Sequence, residues 1–221
     1  MTTRKTKSPR SDAVLKAAVL QAALPHIAFD GFGDKLLQRA AKEAGAGKND
    51  VARLFPGGAL DILEAFSEST DREMEKRLKK TKLSSLKVRE RIAAAVKARL
   101  AALKPHKEAA RRAVAHLSLP QNVALATKLA WRTADAMWRA VGDTSTDFNF
   151  YTKRAILIGV YASTVLRWLT DDSKDERATD AFLAARIENV MQFEKLKAKA
   201  REQAKKLPSL ADVLSGFGAR R

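Results

Sequence analysis

The chain has 221 residues, with 42 lysines and arginines against 25 aspartates and glutamates, and no cysteine. The missing cysteines exclude disulfides, thiolate catalysis and cysteine-ligated zinc, and the three histidines are too scattered to indicate a metal site. The formal net charge of +17 points to an anionic neighbour, either nucleic acid or acidic lipid, without choosing between them.

Apolar residues recur three and four positions apart along nearly the whole chain, and strand patterns are nearly absent. This spacing predicts an all-α fold of about nine or ten helices. No uninterrupted apolar run approaches the ~20 residues that a membrane-spanning helix needs. We divide the chain into a disordered basic arm, a helix-turn-helix-like region, a larger helical domain, and a linker with a C-terminal amphipathic helix: residues 1–10, 11–57, 58–200 and 201–221.

The first predicted helix runs from about Ser11 to Phe29, and Pro25 is expected to kink it. A helix rich in small residues follows, then a turn at Gly45 and a short helix that closes on Phe55. This is a helix-turn-helix pattern, and with the first helix it resembles the DNA-binding end of TetR-type repressors.

The side chains of the short helix that closes on Phe55 differ from those of TetR-type repressors. Ala52 stands where they usually carry an aromatic that braces a DNA phosphate, and the carboxylate of Asp50 would repel phosphates. Lys48 and Arg53 retain some basic character. Nucleic acid is therefore not the expected partner, and a ligand-responsive TetR-type transcription regulator is the alternative function.

Three further stretches build the larger domain. Between residues 71 and 112 lie fifteen lysines or arginines and five acids, which we interpret as a solvated helical surface. Residues 121–141 are apolar over more than one face, and residues 155–168 have the pattern of a helix buried on all sides. A last long helix, about residues 178–199, ends in a strongly basic segment.

The loop at residues 142–154 crowds Phe148, Phe150 and Tyr151 among charged residues. Large rings flanked by cations are suited to binding a partner. The alternative is that Asp147 caps the next helix while the three rings fill the core behind it.

The C-terminal segment, residues 207–221, predicts a short amphipathic helix with basic residues at both ends. Burial of its apolar face together with attraction to acidic lipid would suffice for reversible membrane docking. The alternative is that this helix folds back onto its own domain or onto a partner chain. The candidate membrane-binding residues share one face: Leu207, Leu210, Val213, Leu214 and Phe217.

Residues 131–138 and 142–154, with weaker agreement at 181–183 and 186–187, resemble a family of accessory proteins of coenzyme Q (ubiquinone) biosynthesis. These are lipid-binding proteins with a TetR-like fold, known as family nine of that pathway. The resemblance implies a non-catalytic protein without a cofactor that holds an isoprenoid quinone or phospholipid. It also implies that the protein presents a quinone intermediate to the di-iron demethoxyubiquinone hydroxylase at a membrane surface containing anionic lipid.

TetR-type folds use their larger domain as a ligand chamber, so the wide apolar helices are candidates to line one. Ordinary core packing is the alternative for every residue of this set: Leu125, Leu129, Trp138, Leu157, Tyr161, Val165, Trp168 and Phe182. Two residues before Phe182, the family often carries an aromatic residue where this chain has Asp180.

The resemblance places the hydroxylase-docking patch on Met137, Asp143, Phe150, Tyr151 and Arg154. Phe150 stands where the family commonly has Trp, so the ring is kept but the indole N–H is lost. A homodimer through the last helices is expected for this fold. We expect the protein in the cytoplasm of a bacterium, peripheral on the inner membrane.

Overall fold

The computed structural model describes residues 11–206, apart from the side chains of 198, 200, 201 and 203–206. Across this range the chain forms nine α-helices and no strand, which confirms the predicted all-α fold. The basic arm predicted for residues 1–10 lies outside the described residues. So does the predicted C-terminal helix with its five membrane-binding candidates: Leu207, Leu210, Val213, Leu214 and Phe217.

The nine helices follow one another with short connections, four of which contain a 3₁₀ turn. Their bounds are α1 Asp12–Asp30, α2 Asp34–Ala44, α3 Lys48–Leu54, α4 Ala59–Leu78, α5 Val88–Leu103, α6 Lys107–Leu117, α7 Val123–Ala140, α8 Phe148–Leu169 and α9 Arg177–Lys206.

Helices α1 to α3 form the predicted helix-turn-helix arrangement. Gly45 ends α2 in the left-handed conformation, with φ of 72°, which a side chain would disfavour. Leu36 and Phe55 are buried against α1, and α1 continues through Pro25 to Asp30. By length and mean hydropathy α1 also reaches the size of a membrane-spanning helix, but six of its apolar residues are buried in the protein core.

Helices α4 to α9 form the larger part of the molecule. Helix α4 packs against α5 and α7, α7 packs against α8, and α9 lies along α8 and α5. Buried residues of α1 and α2 join those of α4 to α9 in one connected hydrophobic core. The helix-turn-helix region is therefore packed onto the larger part over a continuous apolar interface.

Helix α8 is not buried on all sides, so that prediction was wrong. Trp168 and Leu157 lie in the core, but a straight row of residues along the opposite face is exposed. Neighbouring helices cover only part of this helix, and the uncovered face carries three small residues between larger apolar ones. We call this row the α8 stripe: Phe148, Tyr151, Ala155, Gly159, Ala162 and Leu166.

Truncating a side chain to alanine should affect the free energy of unfolding very differently on the two sides of α8. Trp168 is fully buried, and Trp168→Ala should lower the free energy of unfolding by about 3–5 kcal/mol. Leu166 is 57% exposed, so Leu166→Ala should change it by about 0.5 kcal/mol. Urea unfolding followed by circular dichroism measures both, and equal losses would contradict this placement of α8.

Candidate functional site

A cavity of about 280 Å³ lies among α4, α5, α6, α7 and α8, and we call it the central cavity. Its walls are mostly aliphatic and aromatic. It reaches the surface beside the α8 stripe, because Ala162 and Leu166 both line it and are exposed. The larger apolar residues of its lining are Leu63, Phe66, Leu103, Leu129, Ile158 and Val165.

The wall of the central cavity contains one buried cluster of polar groups. Arg99 donates hydrogen bonds to Asp71 at 2.7 Å, to the hydroxyl of Ser67 at 3.1 Å, and to the hydroxyl of Tyr161. Thr133 donates to Asp71 at 3.2 Å. We call these five residues the Arg99 cluster; they join α4, α5, α7 and α8.

Burial within the Arg99 cluster determines the protonation state of Tyr161. Burial raises the pKa of the Tyr161 phenol, an effect that the nearby charge of Arg99 only partly opposes. The phenol is therefore protonated at neutral pH. An apolar cavity with a guanidinium and a hydroxyl in its wall is suited to a long apolar molecule that carries a few oxygens.

A second, open groove of about 340 Å³ lies on another side of α8, and we call it the lateral groove. It shares no lining residue with the central cavity. Lys87, Arg89 and Lys153 also line it. Its apolar lining comes from α5, α7, α8 and α9: Val88, Ile92, Trp138, Ile156, Leu157, Val160, Ile187, Val190 and Met191.

The predicted lipid-lining residues are divided between these two sites. Leu129, Tyr161 and Val165 line the central cavity, whereas Trp138 and Leu157 line the lateral groove. The remaining three line neither. Leu125 is half-buried against the core, Trp168 is enclosed by it with its indole N–H donated to Glu176, and Phe182 lies under the guanidinium of Arg186.

Asp180, noted as a departure from the family pattern, accepts a hydrogen bond from Lys97 at 2.7 Å. It therefore joins α9 to α5 across the surface. Both side chains of this pair are about half exposed, and neither residue lines the lateral groove or the central cavity.

Arg154 organises the loop before α8. Its guanidinium donates to Asp135 at 2.7 Å, to Asp143 at 3.3 Å and to the carbonyl of Phe150 at 3.0 Å. It also lies 3.5 Å from the centroid of the Phe150 ring. Arg154 is 1% exposed, so in this conformation it supports the surface rather than forming it.

Asp143 is the shared carboxylate of this network. Burial alone would raise the pKa of Asp143, but hydrogen bonds from Lys153 and Ser145 and the adjacent Arg154 outweigh burial and lower that pKa. The carboxylate is therefore ionised at neutral pH. Its ion pairs with Lys153, at 2.8 Å, and Arg154 hold the loop against α8.

The surface above this network is aromatic. Tyr151 is 59% exposed and packs against Trp131 and Phe150, with ring centroids 6.0 and 5.1 Å apart. Phe148 is 76% exposed. The side chain of Asp147 accepts from the backbone N–H of Asn149, so the predicted cap is confirmed, whereas the proposed core filling by Phe148 and Tyr151 is wrong.

The five predicted docking residues therefore occupy two layers. Tyr151 is exposed and Phe150 is half-buried, whereas Met137, Arg154 and the side chain of Asp143 lie beneath the surface. Phe148 was named among the rings of this loop but not in the predicted docking patch. It is the first residue of α8, directly after the capping Asp147, and no spacing pattern in the sequence indicates its exposure.

The residues suggested for DNA contact are largely occupied within the protein. Arg53 forms ion pairs with Asp12 and Asp50, and Asp50 also accepts from the backbone N–H of Gly47 at 3.1 Å. Asp50 thus caps α3, and two carboxylates compensate the charge of Arg53. In the part of the chain that the structure describes, no group of three acidic or histidine side chains is placed to hold a metal ion.

Residues 123–194, which span α7, α8 and most of α9, match the sequence profile of the COQ9 family. The matched segment includes the aromatic surface and the α8 stripe. It also contributes residues to the walls of the central cavity and the lateral groove.

Proteins named ubiquinone biosynthesis protein COQ9, mitochondrial, are similar over most of the chain. The rat protein is 31% identical and the human protein 30% identical, each over 82% of this chain. The COQ9-B protein of Xenopus laevis is 33% identical over the same share. The chain spans 60%, 59% and 64% of the lengths of these three relatives.

A TetR transcriptional regulator from Nitrosomonas europaea has a similar solved structure. The TM-score is 0.61 over 79% of this chain and 97% of the regulator, with 17% sequence identity. At that identity the likeness concerns the fold alone, and it confirms the predicted TetR-like architecture.

Asp135 pairs with one buried and one exposed arginine, so we expect the two arginines to contribute unequally to the free energy of unfolding. Arg154→Met should lower the free energy of unfolding by about 3–5 kcal/mol, because Asp135 and Asp143 would lose a buried partner. Arg139 pairs with the same Asp135 at 2.7 Å but is 70% exposed, so Arg139→Met should cost less than about 1 kcal/mol. Chemical denaturation of both variants measures this, and similar values would show that the Arg154 network does not hold the loop.

Proposed function

We propose a non-catalytic accessory role in ubiquinone biosynthesis, supported by the match of residues 123–194 to the COQ9 family profile and by the similarity to COQ9 proteins over 82% of the chain. The protein holds an isoprenoid quinone intermediate or a phospholipid in the central cavity. It presents the quinone to the demethoxyubiquinone hydroxylase, a di-iron enzyme, at a membrane surface.

One observation carries this proposal: the α8 stripe joins the central cavity to the aromatic surface around Phe148 and Tyr151 along a single helix face. From Tyr151 to Leu166 the stripe extends about 22 Å, at 1.5 Å per residue. An isoprenoid tail exposed to water costs about 0.8 kcal/mol per CH₂ group. A tail that enters beside Ala162 and follows this row avoids much of that cost once a membrane or partner covers the row.

The aromatic surface around Phe148 and Tyr151 is the proposed contact with the hydroxylase. Exposed aromatic rings on a rigid support are typical of residues that dominate binding energy at interfaces. The Arg154 network provides that support, because it ties the loop to both α7 and α8. The buried members of the predicted patch then act by holding Phe150 and Tyr151 in place.

Attachment to the membrane is assigned to the C-terminal segment and the basic surface. The apolar face of residues 207–221 would enter the interface of an acidic leaflet, and the excess of lysines and arginines would attract it. In a bacterium this places the protein on the cytoplasmic side of the inner membrane. A homodimer is part of the proposal, supported by the exposed Phe193 and Leu196 on α9.

The TetR-type regulator is the less well supported function. The helix-turn-helix geometry is present, and Lys48 forms no ion pair with any described residue. However, Arg53 is held by two carboxylates, so it would have to break both ion pairs to contact a phosphate.

The aromatic surface predicts a loss of partner binding without a loss of stability. Tyr151→Ala should weaken binding to the hydroxylase by at least tenfold, because an exposed hot-spot ring is removed. Phe29→Ala, which removes an 88% exposed ring on α1, is the matched control and should leave binding unchanged. Surface plasmon resonance gives the affinities and thermal unfolding the stabilities. Unfolding of the Tyr151 variant with unchanged affinity per folded molecule would show that this ring serves only the fold.

The central cavity predicts a loss of ligand when its space is filled. Ala130 lines the cavity, so Ala130→Trp should reduce bound ubiquinone with two isoprene units at least tenfold in native mass spectrometry. Ala124, six residues earlier on α7, is exposed and lines neither the central cavity nor the lateral groove, and Ala124→Trp should retain the ligand. A wild-type protein that binds none of this quinone would contradict the proposed function.

A further inference from the structure

We propose that the lateral groove is a second ligand site, for one acyl chain that carries an anionic phosphate head. This inference goes beyond the function assigned to the central cavity and rests on different residues. The two sites lie on separate faces of α8, with Leu157 and Val160 at the groove and Tyr161 and Val165 at the cavity. Each site can therefore bind its ligand while the other is empty.

The floor of the lateral groove is suited to an aliphatic chain. Leu157 and Val160 are buried there, and Ile187, Val190 and Met191 of α9 form the facing wall. Its volume of about 340 Å³ falls within the range of ligand pockets, roughly 300–1,000 Å³. A chain lying in this groove would cover apolar surface that otherwise contacts water.

The edge of the groove is positively charged, and its charges differ in how far they are already paired. Lys153 pairs with Asp143 at 2.8 Å and lies over the ring of Trp138, so it belongs partly to the Arg154 network. Lys87 and Arg89 are exposed, and neither forms an ion pair with a described carboxylate. These two cations are available to bind an anion.

The other charged groups beside the groove are occupied in ways that leave this positive edge intact. Glu90 accepts the backbone N–H of Lys87 at 2.9 Å, which caps the first turn of α5. Arg91 donates to the backbone carbonyls of Leu86 and Ser84. The partial positive charge at the beginning of α5 adds to that of the two side chains.

The same charges argue against the chain's own C-terminal segment as the occupant. That segment follows Lys205 and Lys206 and ends in Arg220 and Arg221, so it would bring cations to a cationic edge. A phosphate head instead forms charge-assisted hydrogen bonds with Lys87 and Arg89 while its chain covers the floor.

The test uses the full-length, lipid-depleted protein and three probes in calorimetry below the micelle concentration: dodecyl phosphate, dodecyl maltoside and inorganic phosphate. Dodecyl phosphate should bind at least tenfold more tightly than either of the others. Lys87→Gln with Arg89→Gln should remove most of that advantage. Lys174→Gln with Arg177→Gln removes two exposed cations, from the 3₁₀ turn before α9 and from its first residue, and should change nothing.

Filling the floor distinguishes this site from the central cavity. Ile156→Trp should weaken both dodecyl probes and leave ubiquinone binding unchanged, whereas Ala130→Trp should weaken ubiquinone binding and leave the advantage of dodecyl phosphate over dodecyl maltoside unchanged. If Ile156→Trp leaves binding of the dodecyl probes unchanged while Ala130→Trp still weakens ubiquinone binding, the groove site is overturned and the proposed function stands.

Three results would overturn the second site. One is unchanged dodecyl phosphate affinity in the Lys87 and Arg89 variant. Another is equal binding of inorganic phosphate, which would indicate an anion site without a chain. The third is tighter binding by a chain ending at Lys206 than by the full chain, which would identify the C-terminal segment as the occupant.

Discussion

The ion pair between Arg99 and Asp71 is the constraint around which the larger part of the molecule is arranged. A buried charge is tolerated only when its partner and its hydrogen bonds replace water, and here Arg99 of α5 is held by Asp71 and Ser67 of α4 and by Tyr161 of α8, with Thr133 of α7 bonded to Asp71. This cluster ties the four helices to one another. The space that remains beside the Arg99 cluster is the central cavity, with an apolar wall and one polar side.

Helix α8 contributes residues to the Arg99 cluster and to each of the other proposed binding surfaces. One face supplies Tyr161 to the Arg99 cluster, another forms the floor of the lateral groove, and the third is the α8 stripe. In the second turn of the same helix, Arg154 links α8 to α7 through its hydrogen bond to Asp135. A ligand in the cavity, a chain in the groove and a partner on the aromatic surface would thus all contact one helix, each on its own set of residues.

The sequence predicted the architecture well because helix spacing and turn residues are local signals. Helix α1 was expected from Ser11 to Phe29 and lies at Asp12–Asp30, and the turn at Gly45 and the cap at Asp147 are where the pattern placed them. Exposure was harder to predict, because an apolar residue has the same spacing whether it faces a core, a cavity or solvent. That is why residues 155–168 were expected to be buried on all sides. Arg99 was missed for a related reason, since it lies in a charged run that is otherwise solvated and no local feature marks the one arginine that turns inward.

Photo-crosslinking tests most directly whether an isoprenoid quinone lies in the central cavity with access along α8. A short-chain ubiquinone analogue with a diazirine in its tail is bound to the full-length protein and irradiated, and the crosslinks are mapped by peptide mass spectrometry. A quinone in this cavity should crosslink within residues 126–133 and 158–166, and excess unlabelled quinone should suppress the crosslinks. Crosslinks confined to other surfaces, or labelling that unlabelled quinone does not suppress, would contradict this position of the quinone.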